Sequence, residues 1–192
     1  MGSDSRLVYW GFPNVAGLPP QTVAWAWEMA RRRNAVHSDA ANRRIGQADD
    51  VETHYNGVSA ELPWALAVGH RPNDVTWVRD GPDPGWDFDW GGSRVDVKYS
   101  TPPQQGTPHL QIPAWHNRAS IRAEIFALTR PHPRDGIQGW RWLVLEGWIT
   151  TAEFFNGAVL RQRKVPTLEV EFAALHPVEV GSARIPLRRG LG

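Results

Sequence analysis

Two aspartates and a lysine stand close together in a stretch whose side chains alternate between apolar and charged. Residues 85–99 read GWDFDWGGSRVDVKY. Apolar residues alternate with Asp87 and Asp89 before the Gly-Gly pair, and with Asp96 and Lys98 after it. Strict alternation is typical of half-buried strands, and Gly-Gly between two such runs predicts a two-residue hairpin turn. The sequence therefore predicts a β-hairpin that carries its charged side chains on one face.

The predicted turn also fixes which residues face each other, because partners in a hairpin share one sum of residue numbers. Asp89 then faces Arg94, which makes an ordinary cross-strand ion pair. Asp87 faces Asp96, with Cβ atoms roughly 5 Å apart. Two carboxylates at this distance repel each other, which either raises a pKa or favours a divalent cation between them.

Lys98 follows Asp96 on the same face, roughly 7 Å along the strand. Only two of the 21 lysine and arginine residues are lysines, Lys98 and Lys164, so a lysine here indicates that a compact point charge is required. Two carboxylates and an ammonium group on one patch suit metal-assisted phosphodiester hydrolysis. The carboxylates would hold Mg²⁺, which polarises the phosphate and activates water, while the lysine offsets developing negative charge.

This pattern resembles the PD-(D/E)XK nuclease superfamily, the fold of restriction endonucleases. The matching residues are Asp87, Asp96 and Lys98, and Glu61 matches the family's glutamate on its first core helix. The resemblance covers residues 50 to 155. It is similar in particular to small phage-encoded nuclease-like proteins of high-GC hosts, whose last strand ends in Gly-Trp-Ile before a short helix, as residues 146–153 do.

The resemblance implies an α/β fold with a restriction-endonuclease-like central mixed β-sheet flanked by helices. It implies a Mg²⁺-dependent deoxyribonuclease, with Mn²⁺ as a substitute metal, DNA as the partner and 5′-phosphate products. Asp87, Asp96, the Val97 carbonyl and Glu61 would ligate the metal, and Lys98 would orient the attacking hydroxide. Cutting both strands of a duplex would require a homodimer or two successive nicks.

Two features depart from the family pattern. Pro63 follows Glu61 by two residues, and proline fits a helix only in its first turn, so this helix is predicted to start near Ser59 or to be kinked. Asp83 and Asp89 flank Asp87, and a shifted turn would bring one of them to the site instead.

A length of 192 residues fits one α/β domain. Together with the resemblance, this predicts an N-terminal arm over 1–20, a single nuclease-like domain with an N-terminal helix over 21–180 and a basic tail over 181–192. The absence of cysteine suits a cytoplasmic protein. No apolar run is long enough to span a membrane and no signal peptide is visible, so no membrane partner is predicted. The net charge of +1 is not by itself a nucleic-acid signature.

Periodicity and turn signals predict the order of elements. An irregular arm precedes a helix over 21–33, and a polar segment over 34–56 has a helical stretch near 40–45. The segment 120–128 allows helix or strand, and a strand over 123–129 is favoured. The other predicted elements are a helix over 59–68, a strand over 75–78, the hairpin, strands over 109–113, 140–149 and 168–172 (the last at a sheet edge), and a capped helix over 151–158.

Other candidate sites are weaker. Eleven tryptophans serve either core packing or base stacking, the latter by Trp86, Trp90 or Trp115. The seven histidines lack zinc-ligand spacing. The basic cluster over 161–164 is either a phosphate contact or a solvated loop. A catalytically silent DNA-binding or structural module of the same fold, in a phage or defence complex, is the alternative function, and RNA is an alternative substrate.

Overall fold

A computed structural model describes residues 8–11, 14–37, 50–70, 75–78, 84–100, 109–114, 116, 118–162 and 165–178. These residues form three α-helices and nine strands. The helices are α1 (Pro20–His37), α2 (Asp50–Ala67) and α3 (Thr151–Gly157). The strands are β1 (Tyr9–Trp10), β2 (Val15–Leu18), β3 (Phe88–Trp90), β4 (Ser93–Tyr99), β5 (His109–Pro113), β6 (Ile125–Pro131), β7 (Arg141–Thr150), β8 (Val159–Arg161) and β9 (Thr167–Glu171).

The central sheet has six strands in the order β1-β2-β7-β6-β4-β3. Only β4 and β6 run parallel, and the other neighbouring strands are antiparallel, so the sheet is mixed. A second sheet of three antiparallel strands has the order β5-β9-β8. The protein is therefore of mixed α/β class with a central mixed sheet and helices around it, as the sequence predicts at this coarse level.

Two apolar cores lie on the two faces of the central sheet. On one face, α2 packs on β4, β6 and β7, and α1 packs on the outside of α2. On the other face lie the second sheet and α3. Strand β6 contributes to both, since Ile125 and Ala127 point into the first core and Phe126 and Leu128 into the second. Because both faces of β6 are covered, its residues are apolar at successive positions and not only at every second one.

Most predicted elements are confirmed with ends that differ by at most four residues. These are α1, the β3–β4 hairpin, β5, β6 as a strand, β7 and α3. The capping box of α3 is present, with Glu153 N–H donating to the Thr150 hydroxyl at 3.1 Å and the Thr150 N–H donating to the Glu153 carboxylate at 3.1 Å. The helical stretch expected near 40–45 and the tail over 181–192 lie outside the described residues.

Four expectations are wrong. The arm over 1–20 contains β1 and β2, and β2 pairs with β7 with Ala16 and Leu18 fully buried. Residues 75–78 form bends, with Val75 buried and Trp77 edge-on to Trp25 at 5.1 Å. β9 is the middle strand of its sheet because β5 and β8 both pair with it.

The fourth wrong expectation concerns the start of α2. The helix begins at Asp50 rather than near Ser59, so Pro63 lies in its interior. Interior proline removes one backbone hydrogen bond, yet the surrounding turns are held by packing. Leu62 and Trp64 on either side of the proline are almost fully buried, and the Trp64 indole N–H donates to the Thr129 hydroxyl at 2.6 Å. Tertiary contacts outweigh the local cost of proline here. None of the described helices is long and apolar enough to cross a membrane.

Gly147 is the position in β7 where the backbone leaves no room for a side chain. A Cβ there would lie 2.5 Å from the His176 carbonyl oxygen and 2.7 Å from Leu175 Cβ. This close approach lets Trp148 and His176 exchange two backbone hydrogen bonds, at 2.9 and 2.7 Å. The chain segment after β9 is thereby attached to the central sheet.

Gly147→Ala is expected to lower the free energy of unfolding by about 1–3 kcal/mol, the usual cost of overpacking. The added methyl group would force the 175–176 segment away from β7. Gly157→Ala is the matched control, because a Cβ at Gly157 meets no atom within 4 Å. Urea unfolding of both variants measures the difference, and equal stabilities would refute the close-approach argument.

Candidate active site

The hairpin that carries the candidate site has the predicted register. Phe88 pairs with Val95, Asp89 with Arg94 and Trp90 with Ser93. The connecting glycines have φ of +58° and +87°, the left-handed conformations that a two-residue type I′ turn requires. The ladder ends at Phe88, so β4 continues beyond β3, and no other strand among the described residues pairs with this edge of β4.

Asp87 lies along the part of this edge next to β3. Its N–H donates to the Val95 carbonyl at 2.8 Å, and its carboxylate Oδ2 accepts the Val97 N–H at 2.6 Å. The carboxylate thus takes the place of the next ladder carbonyl. Since the N–H and C=O of one strand residue point to the same side, the Val97 carbonyl also points to this edge. Asp87 is placed by backbone contacts rather than by a direct ladder pairing with Asp96.

Two other carboxylates, those of Glu61 and Asp96, act on Asp87. Its pKa is raised well above the usual aspartate value, first by burial, then by the negative charges of Glu61 and Asp96. The hydrogen bond from the Val97 N–H and the positive charge of Arg33 oppose this rise. Asp87 thus lies within electrostatic reach of Glu61 on α2 and of Asp96 on β4.

Glu61 enters the site from α2 and is bound by an arginine. Only 3% of the Glu61 surface is exposed. Its two carboxylate oxygens accept from the two terminal nitrogens of Arg33 at 2.6 and 2.5 Å, a bidentate pair. The Arg33 Nε donates to the Trp77 carbonyl, which attaches the 75–78 segment to the same group.

Arg33 is the site residue that sequence reasoning missed. The run Arg31-Arg32-Arg33 ends the helix predicted over 21–33, a pattern typical of solvated charge at a helix end or of a phosphate contact. Arg31 and Arg32 do bind the exposed Glu28, at 3.9 and 3.0 Å. Arg33 instead lies seven residues after the buried Ala26, on the inward face of α1. This helical spacing is the signal that could have separated it from its neighbours.

Lys98 lies next to Asp96 on the outer side of the site. Its Nζ is 2.6 Å from Asp96 Oδ2, and 38% of the Lys98 side chain is exposed against 17% for Asp96. Because the two residues are separated by one position in β4, both point to the same face of the sheet. The ammonium group is thus held at the solvent-facing rim, where an anionic group could reach it.

The carboxylates of the site could supply a metal ion with a few oxygen ligands but not with many. Within the part of the chain that the structure describes, no group of three or more histidine, cysteine, aspartate or glutamate side chains is arranged to hold a metal ion. The bidentate Arg33 contact uses both oxygens of Glu61. The possible metal ligands are then the carboxylates of Asp87 and Asp96 and the carbonyl of Val97. Such a set suits Mg²⁺, since proteins often hold this ion by one or two carboxylates plus water and phosphate.

The other candidate residues have contacts of their own or fall outside the described residues. Trp90 is buried against Trp148 at 5.8 Å, and Arg94 lies over the Trp86 ring at 5.4 Å. Arg161 lies 3.9 Å from the buried Glu169. Asp83, Trp115, Arg163 and Lys164 fall outside the described residues.

Comparison of the chain with protein-family models, with curated proteins and with solved structures found no match.

Replacing Asp87 with asparagine is expected to raise the free energy of unfolding at neutral pH. The amide is uncharged and its oxygen still accepts the Val97 N–H. In the wild type the pKa of Asp87 is higher in the folded than in the unfolded protein, so the folded state holds more protons and stability falls as the pH rises between those two values. The gain in the variant should therefore disappear below about pH 4, where both states are protonated.

Thermal unfolding of wild type and Asp87→Asn between pH 3.5 and 8 measures this effect. Each 1 kcal/mol corresponds to about 2–4 °C for a chain of this size. Asp89→Asn is the control, because Asp89 is exposed on the same hairpin opposite Arg94. Equal melting temperatures of wild type and Asp87→Asn at pH 7 would contradict the raised pKa of Asp87.

Proposed function

We propose that this protein is a Mg²⁺-dependent nuclease that hydrolyses DNA phosphodiester bonds. The observation that carries the proposal is the arrangement at β4, where the charges of Glu61 and Asp96 add to burial in raising the pKa of Asp87 and Lys98 Nζ lies 2.6 Å from Asp96. A carboxylate whose pKa is raised by neighbouring negative charge is suited to a divalent cation.

The roles follow from the positions of the groups. Asp87, Asp96 and the Val97 carbonyl would hold Mg²⁺, which supplies polarisation of the phosphate and activation of water when bound. Lys98 stands at the exposed rim and is suited to orient the attacking water and to offset negative charge on the phosphate. Glu61 fits the metal-ligand role less well than the other residues, because Arg33 holds both its oxygens. Its charge acts on Asp87.

The fold supports the proposal at a coarse level. A helix bearing Glu61 precedes a hairpin bearing Asp87, Asp96 and Lys98, and the hairpin belongs to a mixed sheet with helices on both faces. This order agrees with the restriction-endonuclease-like fold that the sequence resembles. By that resemblance the products would carry 5′-phosphates, and double-strand cutting would need a dimer or two successive nicks.

A binding module without catalysis is the second candidate. It is favoured by one observation: Glu61 is neutralised by Arg33 and Asp96 is paired with Lys98, so two of the three carboxylates have cationic partners within the chain. Such a cluster could serve structure alone. In that case the protein would bind DNA equally well with and without Mg²⁺ and would cleave nothing.

Incubation with supercoiled plasmid, a labelled single DNA strand and a labelled RNA strand tests the proposal. Each substrate is incubated with Mg²⁺, with Mn²⁺ and with EDTA. The nuclease predicts nicked plasmid or shortened DNA with either metal and intact DNA with EDTA. Cleavage confined to RNA would change the substrate, and intact substrates in all three conditions with a folded protein would favour the binding module.

A further inference from the structure

A row of aromatic side chains crosses the central sheet at the end opposite to the candidate site. We call Tyr9, His132, Trp140 and Trp142 the aromatic row. The Trp140 and Trp142 rings are stacked, with centroids 5.4 Å apart and planes at 18°. The Tyr9 ring meets Trp142 edge-on at 6.0 Å, and the His132 ring lies 6.5 Å from Trp142 on its other side.

Strand register places these rings together. Gly17 of β2 pairs with both Tyr9 of β1 and Trp142 of β7, and the His132 N–H donates to the Trp142 carbonyl at 2.9 Å. Gly17 is necessary for this arrangement, because a Cβ there would lie 2.7 Å from the Trp142 ring. The Trp142 indole therefore lies flat over the backbone of β2.

The aromatic row is on the surface and not in either core. Tyr9 is 59% exposed, and Trp140 and Trp142 are half-buried. None of its members belongs to the buried core clusters found among the described residues. The Trp142 backbone N–H donates to the Asp135 carboxylate at 2.9 Å, and that carboxylate also accepts from Arg141 at 2.8 Å. The sheet and the neighbouring loop thus hold a preformed set of rings at the surface.

One exposed cationic side chain, that of Arg134, lies beside the row. The pKa of His132 is lowered first by burial and then by the charges of Arg134 and Arg130, with Asp135 opposing them. Arg130 is paired with Glu146 and Arg141 with Asp135. Exposed π-faces next to a cation match a polyanion whose units carry flat rings, which is the chemistry of single-stranded nucleic acid.

The row also lies on the same face of the sheet as Asp96 and Lys98. Lys98 of β4 pairs with Leu128 of β6. Two residues further along β6, Arg130 pairs with Val144 of β7. Trp142 lies two residues before Val144 in β7. Paired residues and residues two apart in a strand share a face. Strand spacing and rise place Lys98 and Trp142 roughly 16 Å apart, which a strand of a few nucleotides can span.

We propose that the aromatic row binds single-stranded nucleic acid by stacking bases on Tyr9, Trp140 and Trp142, next to the positive charge of Arg134. This binding does not depend on the proposed cleavage. Only the presentation of the bound strand to Lys98 for cleavage rests on the proposed function.

Anisotropy of a 5′-fluorescein dT12 strand, titrated in EDTA so that no cleavage occurs, tests the proposal. An abasic 12-mer with the same phosphates and an rU12 strand are measured beside it. Wild type is expected to bind dT12 about tenfold or more tightly than the abasic strand, the usual contribution of one stacked base. A preference between dT12 and rU12 identifies which nucleic acid the row accepts.

Tyr9→Ala and Trp140→Ala are each expected to weaken dT12 binding about tenfold and to leave binding of the abasic strand unchanged. Trp142→Phe keeps a ring over Gly17 and guards against a folding defect in this position. Trp27→Leu is the matched control, because Trp27 is a half-buried tryptophan that stacks on Tyr55 at 4.1 Å within the helical layer. Its binding should equal that of wild type.

Three results would overturn the proposal: no binding of dT12 by wild type, equal binding of dT12 and the abasic strand, or unchanged dT12 binding in both alanine variants. Binding without any cleavage on addition of Mg²⁺ would leave the aromatic row standing and remove the proposed nuclease. If the protein cleaves DNA but its alanine variants bind dT12 like wild type, the nuclease is supported and the aromatic row is excluded as a binding site.

Discussion

Lys98→Ala is expected to lower Mg²⁺-dependent DNA cleavage by about 10²–10³-fold, the usual cost of removing one group that stabilises charge in the transition state. The Nζ of Lys98 is held 2.6 Å from Asp96 at the exposed rim of the site. Removing it leaves the carboxylates in place, so metal binding should persist while the chemical step slows. Initial rates of plasmid nicking at saturating Mg²⁺ measure the loss.

Two variants define what that loss means. Asp96→Asn is expected to weaken Mg²⁺ binding as well as cleavage, so raising the Mg²⁺ concentration should recover part of its rate but none of the rate of Lys98→Ala. Asp89→Asn changes a carboxylate on the same hairpin that faces Arg94 and should cleave like wild type. Cleavage by Lys98→Ala within about threefold of wild type would exclude the proposed role of this lysine, given the size of a genuine catalytic contact.

Arg33→Met is expected to lower the free energy of unfolding by about 3–5 kcal/mol, the typical cost of breaking a buried ion pair from one side. The variant leaves Glu61 almost fully buried beside Asp87 with no bidentate partner. It also removes the hydrogen bond to the Trp77 carbonyl that attaches the 75–78 segment. Urea unfolding at pH 7 in the presence of EDTA measures the loss.

Matched variants separate the buried pair from other effects of the substitution. Arg32→Met should change stability by no more than about 1 kcal/mol, since its pair with Glu28 is exposed. The double variant Arg33→Met with Glu61→Leu should recover most of the lost stability, because no buried charge then remains unpaired. Adding Mg²⁺ should stabilise Arg33→Met more than wild type, because a cation bound by the carboxylates favours the folded state. A double variant no more stable than Arg33→Met would show that the pair is not the cause.

The sequence predicted the β3–β4 hairpin well because its information is local. Alternation, the Gly91-Gly92 turn and the resulting register all lie within fifteen residues, and the capping box of α3 lies within four. Backbone geometry at such sites depends on neighbouring residues, so pattern and turn chemistry are sufficient. The sequence did not predict that the ladder stops before Asp87, because the point where β3 begins to pair depends on the residues that precede it.

Features that depend on distant partners were missed. β2 is short and pairs with residues 141–144, more than a hundred positions along the chain, so no local pattern marks it. The Trp142 ring lies over Gly17 for the same reason. Arg33 and Glu61 are 28 residues apart and belong to different helices. A charge pattern on one helix does not show whether an arginine reaches across to the other.

The pairing of β2 with β7 has a consequence during synthesis of the chain. Val15 pairs with Val144, so β2 leaves the ribosome 129 residues before its partner is made. At about 5–20 residues per second this corresponds to a wait of about 6–26 s. During that interval Ala16 and Leu18, which are fully buried in the finished protein, have no sheet to join. The central sheet therefore closes late, and β2 is the strand most exposed to wrong pairing before it does.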